Sequence, residues 1–238
     1  MGLNTFSSHL QRLNKIDMFE IIKLTLPLSL AAAISVSSIL GFFTIMVAKE
    51  KQLENGFAFM VGGILAYCAI IIFVLLPFSK AAPAGAPKHA EIYAVTDFIL
   101  AGLCFLLVIK ALFKKDDAEK KKETKMLGGV FAYLGMGALM RIVSANTLPP
   151  FIGAVKDVLG AHLSIESSVI LCSLIILISM SPMIIPWLLF LVNKEKAIDL
   201  INPASRFLEK NKRMLNNTVL AVITVYLVMH GFIHLGMM

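Results

Sequence analysis

Ser167–Val192 reads SSVILCSLIILISMSPMIIPWLLFLV, an apolar run without a single charge. It exceeds the ~20 residues that a helix needs to cross the hydrocarbon core of a bilayer. Five further apolar stretches bounded by charge approach or exceed that length: Leu24–Ala48, Gly56–Phe78, Ile92–Phe113, Leu127–Val155 and Thr218–Met238. Of the 238 residues 58% are hydrophobic, and mean hydropathy is +0.83. The expected fold is an all-α integral membrane protein of six transmembrane helices. The longest hydrophilic stretches, Lys114–Lys125 and Lys194–Asn217, leave little room for a soluble domain, which argues against a membrane-tethered soluble enzyme.

Formal net charge is +7, and the basic residues cluster beside membrane ends. That pattern points to topology and to anionic lipid headgroups. No basic run is interleaved with aromatic residues, so nucleic acid is not an expected partner. Cys68, Cys104 and Cys172 all lie in apolar stretches and none belongs to a CxxC, which excludes a disulfide framework or thiol relay. The first 20 residues carry Arg12, Lys15, Asp17 and Glu20 and no cleavage-type apolar core, unlike a signal peptide.

The loops after the first, third and fifth spans hold 14 of the 22 Lys and Arg residues, and the opposite side holds six. Positive charge stays on the cytoplasmic side. Both termini are therefore expected outside, and the chain is expected to be a multi-pass protein of the plasma membrane. Leu3, Phe6, Leu10 and Leu13 recur at helical spacing, so Leu3–Met18 reads as an amphipathic helix in the outer interface, the alternative being a disordered tail. Ala81–Lys88 (AAPAGAPK) reads as a loop. Lys194–Met214 reads as a cytoplasmic surface helix broken near Pro203.

The chain divides into an interfacial helix over 1–20, a three-helix repeat over 21–113, a basic loop over 114–125, and a second three-helix repeat over 126–238. The second repeat carries a basic cytoplasmic segment at 194–217. Three spans per half make this a 3+3 inverted-repeat bundle. The first span of each half is interrupted at a comparable place, by Ser35-Val36-Ser37-Ser38 and by Ser144-Ala145-Asn146-Thr147-Leu148-Pro149-Pro150. Paired interruptions in inverted halves mark binding sites in secondary transporters. A prolyl residue removes a donor and blocks the carbonyl one turn back, so Pro149 and Pro150 predict a stop or sharp kink in the fourth helix. Two readings fit Asn146–Pro150, a binding site or an ordinary kink. At Ser35–Ser38 small-residue helix packing competes with a site, and bending rather than a break is expected. Pro182 and Pro186 predict a further kink in the fifth span.

Ionisable groups at depth cost about 2.5–3.5 kcal/mol each on insertion scales, so they have partners or tasks. Counting ~1.5 Å per residue along straight spans sets Asp97, Arg141 and His230 in one layer ~8–12 Å below the outer surface. An Asp97–Arg141 pair would lower their joint cost. The Arg fork suits a carboxylate or anionic headgroup, and His230 changes charge near neutral pH. A static structural pair with a packed His is the competing reading. His230 and His234 share ligand-like i, i+4 spacing, but no companion carboxylate or Cys lies nearby in sequence, so neither a metal nor a cofactor is expected. No P-loop, HExxH or GxSxG occurs, and no enzymatic activity is expected.

Leu26-Pro27-Leu28-Ser29-Leu30-Ala31-Ala32-Ala33-Ile34-Ser35 resembles the first helix of the lysine exporter (LysE) superfamily, and within it the Sap-like, peptidoglycolipid-addressing (GAP) family. Asn55-Gly56-Phe57-Ala58-Phe59-Met60-Val61-Gly62-Gly63 resembles that family's second-helix start. Asn146-Thr147-Leu148-Pro149 sits where the family carries Asn-Pro. Pro182 and Pro186-Trp187-Leu188-Leu189-Phe190-Leu191 resemble its Pro-rich fifth helix. Two positions depart: Val36 stands in place of a proline, and Asn-Pro is stretched by two residues. The resemblance implies a six-helix, inverted-repeat, exporter-like protein, a homodimer, handling membrane lipids or a lipid-like substrate. The leading reading is an exporter of an amphipathic or lipid-linked anion, with Arg141, Asp97, Asn146, Ser35, Ser38 and His230 as substrate-binding residues. The alternatives are an exporter of a small amino acid or metal ion, which would want acidic residues at the midplane, and a non-transporting membrane subunit that assists a partner complex.

Overall fold

The computed structural model describes residues 3–48, 51–75, 88–113, 129–144, 146–161 and 163–235. The elements are helices α1 (Leu3–Ala33), α2 (Val36–Val47) and α3 (Gln52–Ile70), with a π-helical extension of α3 over Ile71–Leu75. They continue with α4 (Lys88–Phe113), α5 (Val130–Val143), α6 (Leu148–Gly160), α7 (Ile165–Val192) and α8 (Lys194–His234). The Ala81–Lys88 loop up to residue 87, the Lys114–Lys125 loop, the side chains before Met18 that would form the amphipathic face, and the His234 side chain lie outside the described residues.

Three helical stretches are each long and apolar enough to cross a membrane: Gln52–Phe73, Ile165–Val192 and Lys194–Ile233. Two bent pairs qualify as broken spans or re-entrant segments. Met18–Ala33 with Val36–Val47 bends by 54°, and Val130–Val143 with Leu148–Gly160 bends by 80°. The described residues thus hold three to five candidate spans. Side chains are distributed as lipid requires. Phe73, Phe131 and Ile165 are exposed, while Asp97, Arg141, Lys156 and His230 are at most 2% exposed.

A hydroxyl group repairs the backbone loss at one of the prolines. Pro182 deprives the Ile178 carbonyl of its usual donor, and the Ser181 hydroxyl donates to that same carbonyl at 2.7 Å. α7 runs as one continuous helix through Pro182 and Pro186. Pro203 likewise sits inside α8, so the break expected near it is absent and the basic segment joins the last span in one helix of 41 residues. Pro203 and Asp199, whose carbonyl loses its donor, are both exposed, so the freed carbonyl is not buried. At ~1.5 Å per residue this helix is about twice as long as a bilayer core is thick.

The prolines of the fourth span act differently. Pro149 and Pro150 occupy the first turn of α6, where backbone donors have no helical partner to lose. They start a helix, and the interruption lies just before them, at Ser144–Thr147. The first span also breaks, where only bending was expected. Ile34 and Ser35 leave the helix, and Ser35 takes an extended conformation (φ −98°, ψ 92°) before α2 begins. A proline is therefore not required at position 36.

Some of the helix contacts match in pairs, while α1–α6 and α7–α8 have no comparable counterpart. α3 lies along α5 and α1 along α7; α4 packs on α8 and α3 on α7. The contact of α2 with α8 has its counterpart in that of α4 with α6. The α3–α5 pair approaches most closely. A Cβ built at Gly62 would fall 1.9 Å from the Leu134 carbonyl oxygen, and one at Gly137 would fall 2.0 Å from that of Phe59. Only glycine permits backbones this near, as at small-residue contacts between membrane helices.

Candidate functional site

The two helix breaks meet. The Ser35 hydroxyl donates to Ser38 Oγ at 2.9 Å and lies 3.1 Å from the Ser144 hydroxyl across the junction. The Ser144 carbonyl accepts from the Thr147 and Leu148 amides, each at 3.2 Å, and from the Thr147 hydroxyl. Two half-helices, α2 and α6, start at this junction, so their positive dipole ends lie there; the first turn of α6 offers no free amide, because Leu148 donates to the Ser144 carbonyl, Phe151 donates to that of Thr147, and Pro149 and Pro150 have no N–H. Asn146 sits half-buried in the turn.

Arg141, in the last turn of α5, is 1% exposed. Its Nη1 donates to the Tyr67 hydroxyl at 3.1 Å and its Nη2 reaches Met183 Sδ at 3.3 Å. Among the described residues its Nε has no hydrogen-bond partner. The Tyr67 ring stacks on Phe151, in the first turns of α6, at 4.0 Å between centroids. Tyr67 therefore ties the cation to the far side of the break.

A second polar centre joins α4, α6 and α8. Lys156 pairs with Asp97 Oδ1 and lies 3.3 Å from Asp157 Oδ1. His230 Nδ1 lies 3.0 Å from Asp97 Oδ2, and its Nε2 lies 3.7 Å from Asp157 Oδ2. Tyr226, one turn from His230 on α8, stacks on the imidazole with centroids 5.8 Å apart and donates its hydroxyl to the Leu24 carbonyl of α1 at 2.6 Å. Removing ions from water costs several kcal/mol each, and only close, multiply bonded geometry of this kind offsets it.

The expected Asp97–Arg141 pair is thus replaced. Asp97 meets His230 as counted, but its cation is Lys156, and Arg141 bonds Tyr67 and Met183 instead. The 80° bend explains the change. Depth counted along a straight fourth span fails beyond the break, and the same bend carries Lys156 and Asp157, which follow the fourth apolar stretch, into the protein. Ser144, Thr147, Tyr67, Lys156 and Asp157 were missed by counting. The available signal was the helix start at the proline pair, which makes Leu148–Gly160 a half-helix ending in a Lys-Asp pair.

Among the described residues, no group of three His, Cys, Asp or Glu side chains is arranged to hold a metal ion. In the second centre a lysine ammonium contacts both carboxylates.

Fold and site define an all-helical membrane protein whose polar interior is built on two broken helices that meet. Residues 26–233 match the family described as Sap, sulfolipid-1-addressing protein, and the chain belongs to that family. No curated protein and no solved structure matches it.

Proposed function

We propose that this chain moves an amphipathic, lipid-linked anion across or out of the plasma membrane, as a LysE-superfamily-like exporter of the GAP branch and not as an enzyme. One observation carries the reading: the Ser35–Ser144 junction of two broken helices, with the buried Arg141 guanidinium beside it. Half-helix N-termini and a guanidinium favour an acidic group, and discontinuous helices at a repeat interface are where secondary transporters bind substrate. The family's name, which refers to addressing a sulfolipid, fits an acidic headgroup at Arg141. A cation exporter fits less well, because the charge at the junction is positive.

The inverted repeat is part of the proposal, with α4 supplying the sixth span. Exchanging α1, α2, α3 and α4 for α5, α6, α7 and α8 maps α3–α5 onto α1–α7 and α2–α8 onto α4–α6, which supports it, whereas the extensive α1–α6 contact has only a weak counterpart in α2–α5. In this arrangement both termini lie outside, and two copies associate as a homodimer. Cysteines introduced at Lys120 and Met238 should be labelled by an impermeant reagent from inside and outside, respectively. Labelling of position 120 from outside sinks the orientation.

Reconstituted with fluorescent acidic and zwitterionic lipids of equal chain length, the protein should speed the movement of the acidic probe between leaflets by at least about tenfold. Tenfold corresponds to ~1.4 kcal/mol of discrimination. Equal rates for both probes, or no movement of either, overturn the reading.

A further inference from the structure

Arg141 is 1% exposed, so an acidic group reaches its guanidinium only if a neighbour gives way. The neighbours differ in how far they can yield. On α3, Tyr67 is buried, its ring stacks on Phe151 and lies 5.5 Å from Arg141 Cζ, and its hydroxyl accepts from Nη1. α3 is also locked to α5, the helix that carries Arg141, by the backbone approach at Gly62 and Gly137. A ring held by a stack and a hydrogen bond, on helices that cannot separate, is a fixed wall.

The α7 side is of another kind. Met183 sets its Sδ 3.3 Å from Nη2. Met180, one turn earlier, fills the space that a side chain at Gly63 would take, with the Arg141 stem beside it. Both methionines are buried. A methionine turns about three bonds and adapts its shape, so it can repack while the backbone stays in place. Its thioether is also a weak acceptor. Of the contacts made by Nη1 and Nη2, the one with Met183 is therefore the weaker and the easier to break. A cation fixed only for structure is best held by a carboxylate, in a paired and hydrogen-bonded geometry. A thioether covers the donor without competing strongly for it.

We infer that Met183 is the displaceable cover of the Arg141 site: an acidic headgroup takes Nη2 from the Met183 sulfur, while Tyr67 keeps Nη1 throughout. This deepens the acidic-lipid reading and rests on it. The exchange is a side-chain rotation on α7 and leaves the α3–α5 pair intact. It also selects. A zwitterionic headgroup brings its own cation toward a buried guanidinium, and like charges so placed repel, so it cannot replace the sulfur at the same gain.

The chain has 13 methionines, whose ε-methyl groups can be followed by ¹³C resonance in the full-length protein in phosphatidylcholine nanodiscs. The Met183 signal is the one missing from Met183→Leu, a volume-conserving change. Dihexanoyl phosphatidylglycerol should move that signal, and dihexanoyl phosphatidylcholine should not. Affinity is read separately by calorimetry against empty nanodiscs. Met183→Ala removes the cover and should bind the acidic amphiphile about three- to tenfold more tightly than the wild type, because a weak contact no longer has to be broken. If Met183 only fills space, Met183→Ala loses stability and its folded fraction binds with wild-type affinity. That result, or a Met183 signal that stays in place while the acidic amphiphile binds, overturns the cover and leaves Arg141 as the acidic site. Should Met183→Ala not fold, the Met183 signal of the wild type decides alone. If the wild type binds the acidic amphiphile no better than the zwitterionic one, the acidic-lipid reading falls and the cover falls with it.

Discussion

Gly62→Leu is expected to leave no folded protein, and even Gly62→Ala should destabilise severely. The Cβ of any other residue at position 62 lies 1.9 Å from the Leu134 carbonyl oxygen, and the reciprocal contact at Gly137 is as short, at 2.0 Å. Both obstacles are backbone atoms of helices, which cannot swing aside as a side-chain tip can. α3 and α5 would have to separate by more than 1 Å to restore ordinary contact, and densely packed interiors do not absorb such a shift locally. The cost for Ala should exceed ~4 kcal/mol, the range reserved for overpacking of this severity. Gly135, on the same helix, has nothing within 4 Å of its Cβ position. Gly135→Ala should be neutral or stabilising, by up to ~1 kcal/mol. Size-exclusion behaviour in detergent and thermal unfolding separate the two. A monodisperse Gly62→Ala protein melting like the wild type rules out the close approach. The consequence reaches the site, because Tyr67 and Arg141 lie about one turn farther along the same two helices.

Much of the fold was legible because lipid restricts the chain so strongly. Long uncharged runs such as Ser167–Val192 can only be helices, since every backbone group must be satisfied within the segment. What escaped sequence reading depends on single hydrogen bonds. Nothing in a window of residues distinguishes Pro182, whose damage Ser181 repairs, from Pro149, which opens a new helix. The break at Ile34–Ser35 has no proline at all, and its partner is Ser144, more than a hundred residues away. The same limit governed the site. Asp97 and His230 were placed together because α4 and α8 each run as one continuous helix past those residues. Arg141 and Lys156 exchanged roles because they flank a bend that no count along a straight span includes.

Arg141→Lys should leave a folded protein that has lost most of its acidic-lipid movement, by tenfold or more per folded molecule. The substitution keeps the buried positive charge, so the protein is spared an empty cationic site. It removes the planar fork. The guanidinium now spends Nη1 on Tyr67 and Nη2 on Met183 and, among the described residues, holds Nε without a partner. An ammonium is a compact point charge that cannot meet two divergent partners and an acidic group in fixed geometry. Losing a hydrogen bond from a charged donor costs ~1.5–3 kcal/mol, so a lower melting temperature is expected as well. Stability alone therefore does not decide the role. The deciding comparison is Tyr67→Phe, which removes the hydroxyl that accepts from Nη1 and keeps the ring stacked on Phe151. If Arg141 only braces the junction, both variants should lose stability, and the folded fraction of each should move lipid at the wild-type rate. If Arg141 receives the acidic group, Tyr67→Phe should retain most of its activity, while Arg141→Lys should lose both rate and preference for the acidic probe. Wild-type preference in folded Arg141→Lys removes Arg141 from the substrate site.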